Sequence, residues 1–519
     1  MTDSSLLVLA AIVLLAVSLH RRRTSLKALD SIPIAHPLCG LSSLVMHWVR
    51  FTGHENRFVQ AAHEKYGPVV RLAPRELSVN SAEGVRVVYG GGFEKHPWYR
   101  SFFNVGRPNM FSTYTFRPHA DRKRMLSHVY SKSFIQGSPA LKQQSTQILH
   151  DRLLPILQQA AGTGEALDVH DLLLASAMDF VTAFLFGLSS SSNLVEDRTR
   201  RQAILSAYQS RLPYAYYAQE TQGVMDGLQK IGFNILPAAV VAATEQFEAW
   251  CISMVDGAEE KLHRGGHLDA ADQAVVYGQL RDAMLKTKKD ESGLTADERM
   301  DIVSEMCDHI IAGHETSGIA LTYLVYEMSK NRDLQDALRA ELTSAPSLLV
   351  EIKNKLRAPD VSLTKQLDAL PFLDSVIQEI LRLVPPIGGP QTRLTPSHRP
   401  TKLGDFDEIP PGIRISARAY CLHRNPAVFP DPDRFNPYRW MEPGEHLKEM
   451  KRWFWAFGSG GRMCIGNNFA IQELKLVTAA LYANFFTEVV ETSAQDMQAT
   501  DSYSAYPTGG KLMVRLREI

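Results

Sequence analysis

The chain has 519 residues, in which 56 lysines and arginines balance 56 aspartates and glutamates, and 45% of the residues are hydrophobic. Zero formal charge, with no basic stripe interleaved with aromatics, argues against a nucleic-acid-binding role. The five cysteines, Cys39, Cys251, Cys307, Cys421 and Cys464, are scattered, odd in number and form no C-x-x-C pair. This points to a reduced, cytosol-facing protein rather than a disulfide scaffold.

The chain opens with an apolar run, Leu6 to Leu19, broken only by Ser18 and followed by His20-Arg21-Arg22-Arg23. As a helix it covers roughly 21 Å, short of the ~30 Å hydrocarbon core unless flanking residues join it. Ala16-x-Ser18 would pass as a signal-peptide cleavage site. However, the Met-Thr-Asp start carries no positive charge and the basic cluster follows the run. Residues 1–24 are therefore expected to form a membrane signal anchor with a basic stop, leaving the body in the cytosol. The prolines of residues 25–45 suggest a stiff hinge, and 46–519 a single domain, since no linker, repeat or low-complexity block interrupts it.

Beyond the hinge, Val69 to Leu72 and Glu76 to Val79 read as short strands with Pro74 at their turn. An aromatic-rich segment follows, Trp98 to Phe116, containing Tyr99, Phe102, Phe103, Phe111 and Tyr114. Helical patterns are expected over Ala140–Gln159, Asp168–Leu188 and Ala239–His263. A second aromatic group, Tyr208, Tyr214, Tyr216 and Tyr217, lies between the last two. Thr295-x-x-Glu298 is a capping box that opens a helix reaching about Lys330, roughly 50 Å long. At its centre stands Ala312-Gly313-His314-Glu315-Thr316-Ser317-Gly318. Two glycines inside a helix cost about 1 kcal/mol each relative to alanine. One reason would be clearance for a flat cofactor, and the alternative is a polar kink, since Thr often bonds back to the i−4 carbonyl. Glu379 and Arg382 share a helix face at i, i+3. A last strand is expected at Lys511–Leu516. The fold class is mainly α with small β-sheets.

The strongest signal is Phe457-Gly458-Ser459-Gly460-Gly461-Arg462-Met463-Cys464-Ile465-Gly466. Its glycines let the backbone wrap a sulfur closely. A helix starting just past Cys464, over Asn467–Leu474, adds a positive dipole end that favours thiolate, a soft metal ligand. Arg462 suits an anionic partner such as a carboxylate. A lone buried cysteine is the commoner meaning of such a residue. The pattern F-x-x-G-x-R-x-C-x-G fixes five positions, with chance matches on the order of one in a million windows.

On this motif the chain resembles the cytochrome P450 superfamily, over nearly its whole length after the hinge. The resemblance implies haem b, with Cys464 as the axial ligand of the iron and Phe457 and Gly458 in the haem-binding loop. It implies that Arg462 and Arg393 hold the propionates, with His119 and Lys123 where the family often has Trp-x-x-x-Arg or His-x-x-x-Arg. Arg124, adjacent to Lys123, leaves the exact donor open. The resemblance also implies that Thr316 assists oxygen activation and Glu315 relays protons. Arg434, in Pro432-Asp433-Arg434-Phe435, would complete a buried structural triad with Glu379 and Arg382. The two aromatic segments match the family's access-channel loops and are expected to line an apolar chamber.

The implied activity is that of a monooxygenase inserting one atom of dioxygen into a lipophilic small molecule. Electrons from NADPH would come through a separate NADPH-cytochrome P450 reductase, with cytochrome b5 as a further donor, because no flavin- or nicotinamide-binding extension follows the haem loop. The anchor implies a single pass through the endoplasmic reticulum membrane. The overall run of the sequence is similar to fungal members that tailor secondary metabolites. Two other readings are an isomerase or dehydratase on the same fold that does not use O2, and a non-catalytic haem sensor.

Overall fold

In the computed structural model, which describes residues 27–264, 268–288 and 293–519, the molecule is organised around one helix. Ala296–Lys330 runs for 35 residues, roughly 52 Å. Thr295 Oγ1 accepts the Glu298 N–H at 3.2 Å, and Glu298 Oε2 accepts the Thr295 N–H at 2.8 Å. The capping box expected from the sequence therefore forms.

The long helix packs on Val169–Phe186, whose first turn is capped by Asp168 accepting the His170 N–H at 3.0 Å. This second helix is long and apolar enough to cross a membrane, yet its span is 94% buried inside the fold. It is a core helix. A Cβ at Gly313 would lie 2.6 Å from Val181 Cγ2, and one at Gly318 would lie 2.6 Å from Leu174 Cδ2 and 2.9 Å from Leu174 Cα. The two glycines thus allow the helices to approach, which corrects the expectation that they clear room for a cofactor. Only the Gly313 backbone also borders the internal cavity described below. The helix is continuous through this turn.

Other helices lie near their expected places. Ala238–Arg264 extends the expected span by one residue at each end. Asn467–Asn484 continues well past Leu474, because its second half is buried in the main core. The span expected at Ala140–Gln159 divides into Pro139–Thr146, a π-helical stretch Gln147–Leu153, and Leu154–Thr163. Pro155 explains the division, since its ring and missing N–H disrupt the regular ladder just before it.

The β structure is small. Val69–Ala73 and Glu76–Val79 form the expected hairpin, with Val69 opposite Val79. Glu76–Val79 pairs in parallel with Arg414–Arg418, which pairs antiparallel with Pro390–Leu394 and places Arg393 opposite Ile415. A second sheet joins Phe485–Val489, Met513–Glu518 and Ala166–Asp168, so the last strand starts two residues beyond expectation. Leu29 and Ile32 are buried against the first sheet, and the next residues bond to its first strand, the Ala35 N–H donating to the Arg71 carbonyl at 3.0 Å and the Arg71 N–H to the Pro33 carbonyl at 2.8 Å. The anchor expected at 1–24 lies outside the described residues.

The helix Asn467–Asn484 carries one acid into the core. Burial pushes the Glu473 carboxyl up to about 8, and the nearby Ser317 hydroxyl offsets only part of that. Its folded pKa lies above the unfolded one, so its contribution is fully present below about pH 4.5 and is lost as pH rises towards 8. Glu473→Gln should therefore melt at a temperature close to wild type at low pH. Its advantage over wild type should grow from about pH 5 to pH 8 and then level off; a constant difference across that range would contradict the burial argument.

Candidate active site

A cavity lies between the long helix and the Cys464 loop, walled on one side by Ala312, Gly313 and Thr316 and on the other by Phe457, Gly458 and Cys464. The loop is closed by the Cys464 N–H donating to the Phe457 carbonyl at 2.9 Å. Gly460 has φ +69, and a Cβ there would lie 2.2 Å from the Tyr89 carbonyl oxygen, so only glycine fits. Gly458 is also left-handed, at φ +66, whereas Gly461 and Gly466 are not.

Cys464 is the one cysteine whose thiol opens onto this cavity; Cys39, Cys251, Cys307 and Cys421 are buried elsewhere. The N–H groups of Gly466 and Asn467 point at its sulfur, and the Lys123 ammonium lies near it; all three pull its pKa down. Burial outweighs them, and the thiol stays above its ordinary value. The helix start thus favours thiolate, as expected, but does not by itself overcome burial. A bound metal cation would supply the missing stabilisation.

Several basic side chains line the same cavity as the thiol. Arg393 projects from its strand, buried, with Nη1 donating to the Thr392 carbonyl at 2.9 Å and to the Tyr99 hydroxyl at 3.3 Å. Arg462 donates to the carbonyls of Thr113 at 2.7 Å and Tyr114 at 2.6 Å. Burial, then the charge of Arg393, lowers its pKa to about 10. His119 and Lys123 sit one turn apart on the helix Phe116–Leu126, and both reach the cavity. Lys123 Nζ donates to the Gly461 and Met463 carbonyls at 3.0 and 2.8 Å. Arg124 instead points outward to Asp121, so Lys123 is the cation of this helix that meets the loop. His119 is held neutral, with a pKa of about 3, by burial and then by Arg462, Lys95 and Lys123.

Lys95 belongs to the same set and was not singled out by sequence reasoning. It is buried, pairs with Arg393 across an isolated β-bridge, and donates to the Phe111 carbonyl. Burial first, then Arg393 and Arg462, lower its pKa strongly. So many converging cations call for an anionic partner. With one inward-facing thiol and apolar walls, they fit a dianionic haem.

Across the cavity, Glu315 and Thr316 line the long-helix wall together with Ala312 and Gly313. Thr316 Oγ1 donates to the Ala312 carbonyl at 2.8 Å. Glu315 is buried and accepts the Tyr208 hydroxyl at 2.8 Å. Its pKa is raised by burial, against the hydroxyls of Tyr208, Ser504 and Tyr506.

The aromatic segments are only partly where they were expected. Phe102 and Phe111 line the cavity, joined by Tyr503, which had not been singled out. Trp98 and Tyr99 pack behind them at 5.3 Å from Phe102 and Phe111 respectively. Of the second group, Tyr208 is a partner of Glu315, while Tyr216 and Tyr217 pack on Phe51 near the surface. Aromatic composition did not distinguish these environments.

The structural triad needs a correction. Glu379 and Arg382 form a buried bidentate pair, at 2.8 and 2.9 Å. The arginine that completes it is Arg439, whose Nε lies 3.1 Å from Glu379 Oε1. Arg434 is exposed and contributes its backbone carbonyl, which accepts from Arg382 at 3.2 Å. Asp431, three residues before Arg434, adopts a left-handed conformation at φ 49. Trp440 Nε1 also donates to Glu379 at 2.8 Å. Buried His423 then links the network to the cysteine loop. Its Nδ1 bonds the Arg382 carbonyl at 3.1 Å, and its Nε2 accepts the Trp455 N–H at 2.8 Å, two residues before Phe457.

A sequence model of the Cytochrome P450 family matches residues 35–513, and the chain belongs to that family. It is 27% identical to the cytochrome P450 monooxygenase tazI of Aspergillus terreus, over 93% of this chain and 94% of that protein. It is 28% identical to the monooxygenase aflU of Aspergillus parasiticus and 26% to FGM1 of Gibberella zeae. Each of those two matches covers 88% of this chain and 86% of the relative. Membership brings a haem iron ligated by a cysteine thiolate, a redox partner and a small-molecule substrate.

Breaking a buried ion pair by removing one partner costs ~3–5 kcal/mol. Arg439→Ala should therefore lower both the melting temperature and the haem bound per chain. Arg434→Ala, which keeps the carbonyl that the network uses, should leave both near wild type. Equal losses in the two variants would return the triad to Arg434.

Proposed function

We propose that the chain is a membrane-attached haem-thiolate monooxygenase that inserts one oxygen atom of O2 into a lipophilic secondary metabolite. The observation that carries this reading is the convergence of the Cys464 thiol, the basic side chains and the Glu315–Thr316 pair on one cavity. Cys464 would hold the haem iron, with Phe457 and Gly458 bordering its ring. Arg393, Arg462, His119, Lys123 and Lys95 would receive the propionates. When bound, the haem supplies dioxygen activation and C–H oxidation, using two electrons from NADPH and releasing water.

The chain's own residues supply protons and exclude water. Glu315, its pKa raised by burial, stands next to Thr316 in the helix as the titratable group of this wall. Tyr208 orders that carboxyl from the helix Arg198–Gln209. The Thr316 hydroxyl borders the cavity and can turn from the Ala312 carbonyl to donate into it. Phe102, Phe111 and Ile311 give the chamber an apolar wall suited to a lipophilic substrate. The electron donor in this reading is an NADPH-cytochrome P450 reductase on the same membrane, with cytochrome b5 as a second donor.

Membrane attachment is supported by a surface patch. Leu44, Trp48 and Phe51 stand exposed on the helix Leu44–Phe51. Phe51 touches Tyr216, with ring centroids 5.5 Å apart, and Val224, Ile231 and Phe233 stand exposed further along that segment. Such a patch adjoining the end of the chain that carries the apolar Leu6–Leu19 run suits a lipid surface. The basic cluster after that run favours the cytosolic face of the endoplasmic reticulum.

The test is a reduced, carbon monoxide difference spectrum of membranes carrying wild type and Cys464→Ala. Wild type should show the red-shifted Soret band of thiolate-ligated haem and the variant should lack it. Folded, haem-replete wild type without that band would end this reading. Thr316→Ala should keep the band while product formed per NADPH consumed falls by about tenfold or more, the diverted electrons appearing as hydrogen peroxide. Unchanged coupling would remove Thr316 from proton delivery.

A further inference from the structure

One ionisable group on the cavity wall has no task in the reaction described above. Asp308 lies on the long helix two turns before Thr316, is only 9% exposed and lines the cavity. Among the described residues its carboxyl has no hydrogen bond and no ion pair. Its neighbours are engaged elsewhere. Glu305 Oε2 accepts the Met110 N–H at 3.0 Å and has Arg122 at 3.9 Å. His309 faces the Tyr130 hydroxyl at 2.7 Å through Nδ1, with Nε2 3.4 Å from Glu305. Lys95, whose field reaches Asp308, directs its ammonium to the Phe111 carbonyl and to the rings of Tyr99 and Phe111, each at 4.0 Å.

We propose that Asp308 is the anchor for a protonated amine on the substrate, so that the chamber selects lipophilic molecules carrying a basic nitrogen. The inference rests on the monooxygenase reading and narrows its substrate class. The cation would sit on the Asp308 carboxylate while the apolar body lies along Phe102, Phe111 and Ile311. Burial and the nearby Glu305 push the Asp308 carboxyl up to about 7. A neutral hydroxyl would add only a hydrogen bond, whereas a cation also stabilises the ionised form of Asp308 and makes the stronger, charge-assisted bond.

The test is an optical binding titration of the purified holoenzyme with two probes, N,N-dimethyl-4-phenylbutylamine and its neutral isostere (5-methylhexyl)benzene. Wild type should bind the amine at least tenfold more tightly. Asp308→Asn should lose that preference with affinity for the isostere unchanged, and Asp308→Glu should keep a preference. Equal affinity of wild type for both probes overturns the assignment without any variant being needed, and so does a preference retained in Asp308→Asn. The carbon monoxide difference spectrum of each sample separates the two levels of failure. A normal band with no amine preference refutes Asp308 as anchor, whereas a missing band in wild type refutes the monooxygenase reading itself.

Discussion

The buried carboxylate of Glu379 is the constraint on which the cofactor side of the molecule depends. Two guanidiniums, an indole N–H and the Asn436 N–H converge on it. Arg382 uses its remaining donors on the carbonyls of His423, Pro432 and Arg434. A carboxylate this deep is tolerated only because every oxygen lone pair has a partner. The network therefore acts as a clamp on a segment with little regular structure. Neutral His423 carries the clamp to Trp455, and the cysteine loop starts two residues later. The clamp thus reaches the segment leading to the thiol through hydrogen bonds that do not involve the thiol itself.

The second organising fact is electrostatic imbalance. In the protein alone, burial raises the pKa of the thiol, and the cations lining the cavity depress one another. Both conditions are unfavourable until an anionic, metal-bearing group arrives. Burial is what makes the site expensive when empty and selective when filled, since an ion without two negative groups and a metal would relieve only part of the strain among the charges. Gly458 belongs to the same logic, because it borders the cavity with backbone and no side chain, whereas Gly460 lets the loop approach the Tyr89 carbonyl.

Several features were legible in the residue string because local geometry dictates them. The capping box at Thr295, the hairpin around Pro74 and the loop around Cys464 each rest on residues close together in sequence. What escaped was decided by tertiary facing. Arg434 and Arg439 are five residues apart in one irregular segment, and nothing local says which turns inward. Lys95, Asp308 and His423 are single residues without a pattern, visible only once distant strands and helices bring them to the cavity or the clamp. The tyrosines between 208 and 217 look alike in sequence. One became the partner of a buried carboxyl and two became surface aromatics, because the helix turns between them. The glycines of the central turn were noticed, but their purpose, contact with Leu174 and Val181, belonged to a helix more than a hundred residues earlier.

The bond between Tyr208 and Glu315 joins two parts of the molecule with different freedom. Glu315 is fixed on the long helix, which Gly313 and Gly318 seat against a rigid neighbour. Tyr208 lies on Arg198–Gln209, a helix that borders the partly exposed segment from Leu212 to Lys230. The bond therefore ties a titratable side chain of the cavity wall to the outer layer that carries Tyr208, so that a change at Tyr208 reaches the Glu315 carboxyl through a single hydrogen bond.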